Sequence, residues 1–320
     1  VEIVSNDGET FRFRNSGNGK YTSIQPFQAV DDHSYHLEIE TNDGNLYVSD
    51  EEKLLGHAEL EDLYAERSQN DDGIPGIGIF VSKNLGDDPN YYLYSYEESY
   101  KIVSPYTRNR KIVADGGNGF HFEPVTEERE ICYNTVKSLK SVLSNTSGFN
   151  SQNEEALITF LKIDNKKIEN RYSILVNQQL ISEEAYNFYK TLQDLSGSSN
   201  VFSQQQPGFL AGNISSVNNP GENVVGYFAV ASTSKKRIWL NFLDYFSIEE
   251  RPDPTTRCSL STPKAERINS FVSSGVLQYW ADNLDPDPTE GPYIMVNLSC
   301  IDCRVLGKVE KPDFWVDEEN

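Results

Sequence analysis

The chain has 320 residues, and its 28 lysines and arginines face 49 aspartates and glutamates, a formal charge of −21. That excess argues against a nucleic-acid protein, because nothing offsets phosphate repulsion over the whole surface. Hydrophobic residues at 37% and aromatic ones at 12% exclude a disordered acidic tail, and no apolar run approaches the roughly 18 residues of a membrane helix.

The chain opens at Val1 and its one methionine is Met295, so a processed or truncated form is expected, whose leader lies outside it. At about 150 residues per domain, the length suggests two domains. Residues 1–68 read as an N-terminal β-sandwich domain. Val1–Val4 and Phe11–Arg14 alternate around the turn Asn6-Asp7-Gly8, and Tyr35–Glu40 precedes Asn42-Asp43-Gly44 and Leu46–Val48. About four strands fit there, too few for a complete immunoglobulin-like sandwich, and the missing ones are expected upstream.

Residues 69–320 read as a larger antiparallel β domain with two or so short helices. A polar loop runs to Gly73, and strands are expected over Ile74–Val81 and Tyr91–Val103. Asp115–Gly119 reads as a loop, the stretch from Cys132 to Leu143 as short strands, and Asn145–Gly148 as a turn. Leu157–Phe160 and Tyr172–Val176 read as a strand pair across Asp164-Asn165.

The clearest helix spans 182–196, with Ser182 as N-cap, Glu183 and Glu184 in the first turn, and Gly197 at its end. Ala185, Tyr186, Phe188, Tyr189, Leu192 and Leu195 form its apolar stripe. A loop at Gln204–Pro207 is followed by two expected strands, Val224–Ala231 and Arg237–Phe242. A second helix is expected over 263–274, capped by Thr262, with Ile268, Phe271 and Val272 inward and Gly275 at its end. Met295 falls in a late strand, and no repeat of fixed period is present.

Chemistry-bearing motifs are scarce. His33 and His36 form the only close histidine pair, and on a strand they point to opposite faces. No HExxH, P-loop or GxSxG pattern occurs. Gly76-Ile77-Gly78 lacks the third glycine and the helix of a dinucleotide site, so it reads as a strand. Asn70–Gly73 and Asp285–Glu290 are acidic turns without the spacing of a calcium loop. They read as solvated turns; no cofactor is expected, and calcium is the one cation left open. Trp239 and Trp280 read as core, whereas Trp315 sits in a polar tail.

The four cysteines are Cys132, Cys258, Cys300 and Cys303. The close pair at 300 and 303 has no second close pair to complete a zinc site, and its context favours a structural staple. Two disulfides in an oxidising compartment are expected, with Cys258 bonded to Cys300 or Cys303 and Cys132 to the other. No catalytic constellation emerges from the residues.

An ordered set of motifs carries a resemblance. It comprises Tyr172–Tyr186, Gln206-Pro207, Gly212-Asn213-Ile214, Asn219-Pro220, Val225–Ser232 with Gly226, Tyr227 and Phe228, Lys236–Ile238, Cys300–Cys303 and Lys311–Trp315 with Pro312. Tyr35–Ile39, Asp43-Gly44 and the stretch Leu60–Tyr64 belong to the same set. In this order the chain resembles an uncharacterised Bacteroidetes family of predicted outer-membrane lipoproteins, catalogued as domain of unknown function 4249 and often encoded beside TonB-dependent receptors. The resemblance implies a lipid anchor on an unseen leader, a cell-surface location at the outer membrane, and an outer-membrane β-barrel transporter as partner. It implies no catalytic residue.

The motif residues Gly212, Asn213, Gly226, Tyr227 and Phe228 are also tempting as binding residues, yet a turn and a core strand explain them first. A non-enzymatic accessory or substrate-capture protein is therefore expected. A surface hydrolase of glycans or peptides and a purely structural adhesion module are the alternatives. A hydrolase would need a cleft holding two carboxylates about 5–9 Å apart.

Overall fold

A computed structural model of the chain describes residues 1–84, 90–115, 117, 119–146, 153–197, 210 and 212–317. The turn expected at Asn145–Gly148 lies partly outside these residues, and the loop at Gln204–Pro207 wholly outside them.

The first strands are β1 (Glu2–Ser5), β2 (Thr10–Asn15), β3 (Tyr21–Ser23), β4 (Ser34–Glu40), β5 (Leu46–Ser49) and β6 (Glu52–Lys53). The expected hairpin around Asn6-Asp7-Gly8 forms, with Ile3 opposite Phe11. Gly8 and Gly44 adopt φ of +91° and +83°, the left-handed turn conformation that glycine reaches without strain. The strands after them are β7 (Asp62–Gln69), β8 (Pro75–Asn84), β9 (Tyr91–Val103), β10 (Arg110–Ala114) and β11 (Phe120–Pro124). Then come β12 (Ile131–Lys137), β13 (Val142–Asn145), β14 (Asn153–Lys162), β15 (Arg171–Ile181) and helix α1 (Glu183–Gly197). The chain continues through β16 (Ile214–Ser216), β17 (Thr233–Asn241), β18 (Leu260–Ser261), α2 (Ala265–Ser273), β19 (Leu277–Asp282) and β20 (Tyr293–Asn297).

The protein is mainly β, and its strands pair antiparallel. The N-terminal sheet runs β3-β2-β1-β4-β5-β16, with β6 also on β4. Its last strand arrives from the C-terminal half: Ile214–Ser216 lines up on Tyr47–Ser49. Asn218 accepts from the Leu46 amide at 2.6 Å, which fastens the same return segment. Tyr35 is the one apolar side chain of residues 1–53 that is fully buried.

The main core lies between two facing sheets, β14-β8-β7 and β12-β9-β15-β17. Ile77, Ile79 and Val81 alternate inward from β8 to meet Tyr94, Tyr172, Ile174 and Val176. The glycines of Gly76-Ile77-Gly78 sit on the opposite face, under aromatic rings. A Cβ on either would lie 2.4 Å from the Phe160 or Phe80 ring. The boundary expected after residue 68 falls inside the β7–β8 hairpin, where Ser68 pairs with Gly76. A smaller core joins α2, the β10–β11 hairpin and the β18-β20-β19 sheet through Ile112, Ile268, Tyr279 and Met295.

Several local expectations are corrected. Leu157–Phe160 and Tyr172–Val176 are strands but do not pair with each other. β14 pairs with β8, whereas β15 pairs with β9 and β17, because each buries one face in the shared core from opposite sheets. Val224–Ala231 is not a strand, for a reason that belongs to the site described below. Ser182 caps α1, accepting from the Ala185 amide at 3.1 Å, but Leu192 at the end of the stripe is 39% exposed. Helix α2 begins two residues later than expected, after Lys264, and Thr262 is not its cap. The Thr262 carbonyl instead accepts from Gly291, where a Cβ would lie 1.8 Å from the Pro263 carbonyl.

Trp315 is the most buried of the three tryptophans, at 6% exposure. It packs between Tyr133 and Trp239, with both ring centroids at 5.0 Å. The polar tail reads as exposed until its attachments are seen. Cys303 bonds Cys132, Lys308 bridges Tyr133, and the Trp315 amide closes a turn on the Pro312 carbonyl. The second disulfide joins Cys258 to Cys300, so each member of the close pair takes a separate partner, and among the described residues no cysteine is free.

Candidate functional site

The family-motif residues converge on one seam. The backbones at Gly212 and Gly226 pass so closely that a Cβ on Gly212 would lie 1.6 Å from the Gly226 carbonyl oxygen. Beside them the Asn213 side chain does the work of a strand neighbour. Its Oδ1 accepts from the Phe228 amide at 2.8 Å, and its Nδ2 donates to the Phe228 carbonyl at 2.8 Å. This is why Val224–Ala231, apolar and extended by composition, joins no sheet: a side-chain amide satisfies its backbone in place of a ladder.

The seam leads to a carboxylate. Asn213 Nδ2 also donates to Glu52 Oε1 at 3.0 Å, and the Tyr227 hydroxyl donates to the same oxygen at 2.9 Å. Ser182, already the cap of α1, lies 3.3 Å from the Tyr227 hydroxyl. With Tyr227 donating to Glu52, Ser182 is the donor to Tyr227. The Asp50 amide donates to the Asn213 carbonyl at 2.7 Å. One polar chain therefore ties the start of α1, the motif seam and the β6 strand.

Above this chain opens a cleft of about 730 Å³. Its walls come from Asp50–Lys53 and Leu55, from Ser182 and the face of α1 bearing Glu184, Phe188 and Thr191, and from Leu210, Gly212 and Asn213 with Tyr227. Asp50, Glu51, Glu52 and Glu184 face a single lysine, Lys53, so the cleft is strongly acidic. Ser34 donates to Glu51 at 2.8 Å and holds it at the rim.

Burial raises the Glu52 carboxyl above the ordinary carboxylate range. The Tyr227 and Asn213 donors oppose that rise, and the charges of Glu184 and Asp50 add to it. Burial also pushes the Tyr227 hydroxyl up to about 12, with Ser182 opposing and Glu52 adding. A carboxyl whose folded pKa is raised holds its proton more tightly when folded, so its charge costs stability at neutral pH. That cost disappears as pH falls through the raised pKa towards the ordinary value of about 4.3. Glu52→Gln keeps the acceptor oxygen and removes the charge. Its melting temperature is expected to equal or exceed that of the unmodified chain at neutral pH, with the difference shrinking in acid. A melting series against pH checks this; a deficit at neutral pH that persists in acid would contradict it.

Other sequence candidates lie elsewhere. His33 and His36 do not share a ligand: His33 faces Asp7 at 3.3 Å and His36 faces Glu38 at 3.1 Å. The acidic turn at Asn70–Gly73 closes β7 onto β8, with Asn70 Oδ1 accepting from the Ile74 amide at 2.8 Å. The run Asp285–Glu290 lies between β19 and β20, where Glu290 accepts from Asn283 at 3.1 Å. Among the described residues no group of three or more His, Cys, Asp or Glu is placed to hold a metal ion. None of their helices is long and apolar enough to cross a membrane. Pro312 and Trp315 are structural residues of the tail. Sequence reasoning missed Glu52, Glu184 and Ser182 as members of one site. Only the helix-start pattern, Ser182 as cap and Glu184 in the first turn, marked two of them, and it marked them as helix residues.

The family model described as "Domain of unknown function (DUF4249)" matches residues 1–237, a stretch that contains every wall of this cleft. No curated protein and no solved structure matches the chain.

Proposed function

The chain belongs to the DUF4249 family, and we propose that it is a non-enzymatic capture protein of the cell surface. In this reading it is a lipoprotein held at the outer membrane by an anchor on its leader, and it serves a TonB-dependent β-barrel transporter as substrate-capture partner or accessory. The observation that carries the reading is the cleft itself. It is large enough for a small ligand and is built from the motif residues. Its hydrogen bonds fix the walls, side chain to side chain and side chain to backbone, and among the described residues they set no nucleophile against a general base. Four carboxylates against one lysine suit a cationic or hydroxyl-rich substrate.

The net charge of −21 fits a solvated domain held away from an anionic membrane by a tether. Two disulfides fit an oxidising compartment. The test is affinity purification of the tagged, lipidated protein from outer membranes in mild detergent. Recovery of a TonB-dependent barrel in near-equal amount is expected, and recovery of none would overturn the partnership.

A second reading, a surface hydrolase, draws on one observation: Glu52 has a raised pKa and shares the cleft with Glu184. Against it, Glu52 spends one oxygen on Tyr227 and Asn213, groups that hold the seam together. Hydrolysis of chromogenic glycosides or peptides that vanishes in Glu52→Gln would favour the hydrolase.

A further inference from the structure

A second cleft, of about 440 Å³, lies near the opposite end of β15, beside Asn170 and against the Cys258–Cys300 disulfide. Its walls come from β9, from the turn at residues 165–170, and from the segments that the disulfide joins. Its charge runs opposite to that of the whole chain. Lys166, Lys167 and Arg257 line it, with Glu169 as their one acidic companion. Glu169 holds Arg257 at 3.1 Å. Lys167 is held at 2.5 Å by Glu98, which also takes the Tyr172 hydroxyl at 3.0 Å. Lys166 is exposed and has no partner among the described residues, so one positive charge is left uncompensated.

Hydrogen-bond donors accompany that charge. Asn165 uses its Oδ1 to accept from the Lys167 amide at 3.0 Å, which leaves its Nδ2 donor free beside Lys166. Arg257 uses only Nη2 on Glu169. Apolar lining accompanies these groups: Ile102, Val103, Pro105 and Leu306, together with the half-cystines Cys258 and Cys300. A cleft that combines donors and a spare cation with apolar lining matches an amphiphilic anion.

We propose that this cleft binds a small organic anion with an apolar stem, a carboxylate seated on Lys166, Arg257 and Asn165 with its stem on Ile102 and Leu306. The site is independent of the acidic cleft. The ion pairs of Lys167 and Arg257 fix these side chains before the ligand arrives, and the Cys258–Cys300 bond fixes the two segments that carry Arg257 and Ser299.

The test is an amide chemical-shift titration of the oxidised protein with hexanoate, with hexanamide as the uncharged control. Saturable shifts confined to the neighbourhood of residues 100–105, 134, 165–170, 254–258 and 299–306 are expected with hexanoate and none with hexanamide. Lys166→Glu is exposed and unpaired, so it folds; it should weaken hexanoate binding about tenfold by replacing attraction with repulsion. Lys190→Glu on α1 makes the same charge change away from the cleft and should leave binding unchanged. No saturable shift with hexanoate, an equal response to hexanamide, or unchanged affinity in Lys166→Glu would overturn the proposal.

Discussion

Replacing Cys132 and Cys303 together by alanine is expected to cost about 5 kcal/mol of stability. The bond joins residues 171 apart, and closing so long a loop restricts the unfolded chain most. The Cys258–Cys300 bond spans 42 residues, for which the same chain-entropy reasoning gives about 4 kcal/mol. The ordering matters more than the values. The first bond also pins the tail that carries Trp315 onto Tyr133 and Trp239, so its loss should free that segment. Urea unfolding measures the stability, and limited proteolysis reads the release of the tail beyond residue 303. A double variant within about 1 kcal/mol of the unmodified chain, with the tail still protected, would contradict the pairing as a stabilising device.

Gly212→Ala is the second large effect. An alanine Cβ would meet the Gly226 carbonyl at 1.6 Å, a backbone atom that cannot swing aside. The two segments of the seam must part, which breaks the Asn213 clamp on Phe228 and the bond from Asn213 to Glu52. A loss of about 3 kcal/mol or more is expected, from overpacking plus the hydrogen bonds given up. The cleft should loosen with it, because Asn213 and Tyr227 form its floor. Asn213→Ala removes the clamp without the clash and should cost less, about 2 kcal/mol. Equal stabilities for the two variants would show that close approach at Gly212 is not what shapes the seam.

Part of this was legible in the residues. Asn6-Asp7-Gly8 and Asp43-Gly44 marked hairpins because glycine at positive φ is what such turns require. Ser182 followed by two glutamates marked the start of α1 through its capping chemistry. The expected cysteine partners formed because the close pair at 300 and 303 had only two distant cysteines to meet.

Other features depend on contacts that no local pattern records. Val224–Ala231 has the composition of a strand, but its hydrogen-bond partner is the side chain of Asn213. Trp315 sits among polar neighbours in sequence and among Tyr133 and Trp239 in space. The strands β14 and β15 are consecutive yet lie in facing sheets, a choice made by the common core. The acidic cleft was the least legible, since Glu52, Ser182, Asn213 and Tyr227 come from four separated segments. Asn213 and Tyr227 were visible as motif residues, and the turn and strand chemistry first assigned to them hid their shared bond to Glu52.

Capture without catalysis in the acidic cleft, as proposed above, is tested most directly by mass spectrometry of what the purified protein retains from extracts of glycans and peptides, before and after prolonged incubation. A retained compound is expected to be released unchanged, and Gly212→Ala is expected to retain less of it. New products that form over time and disappear in Glu52→Gln would contradict that reading.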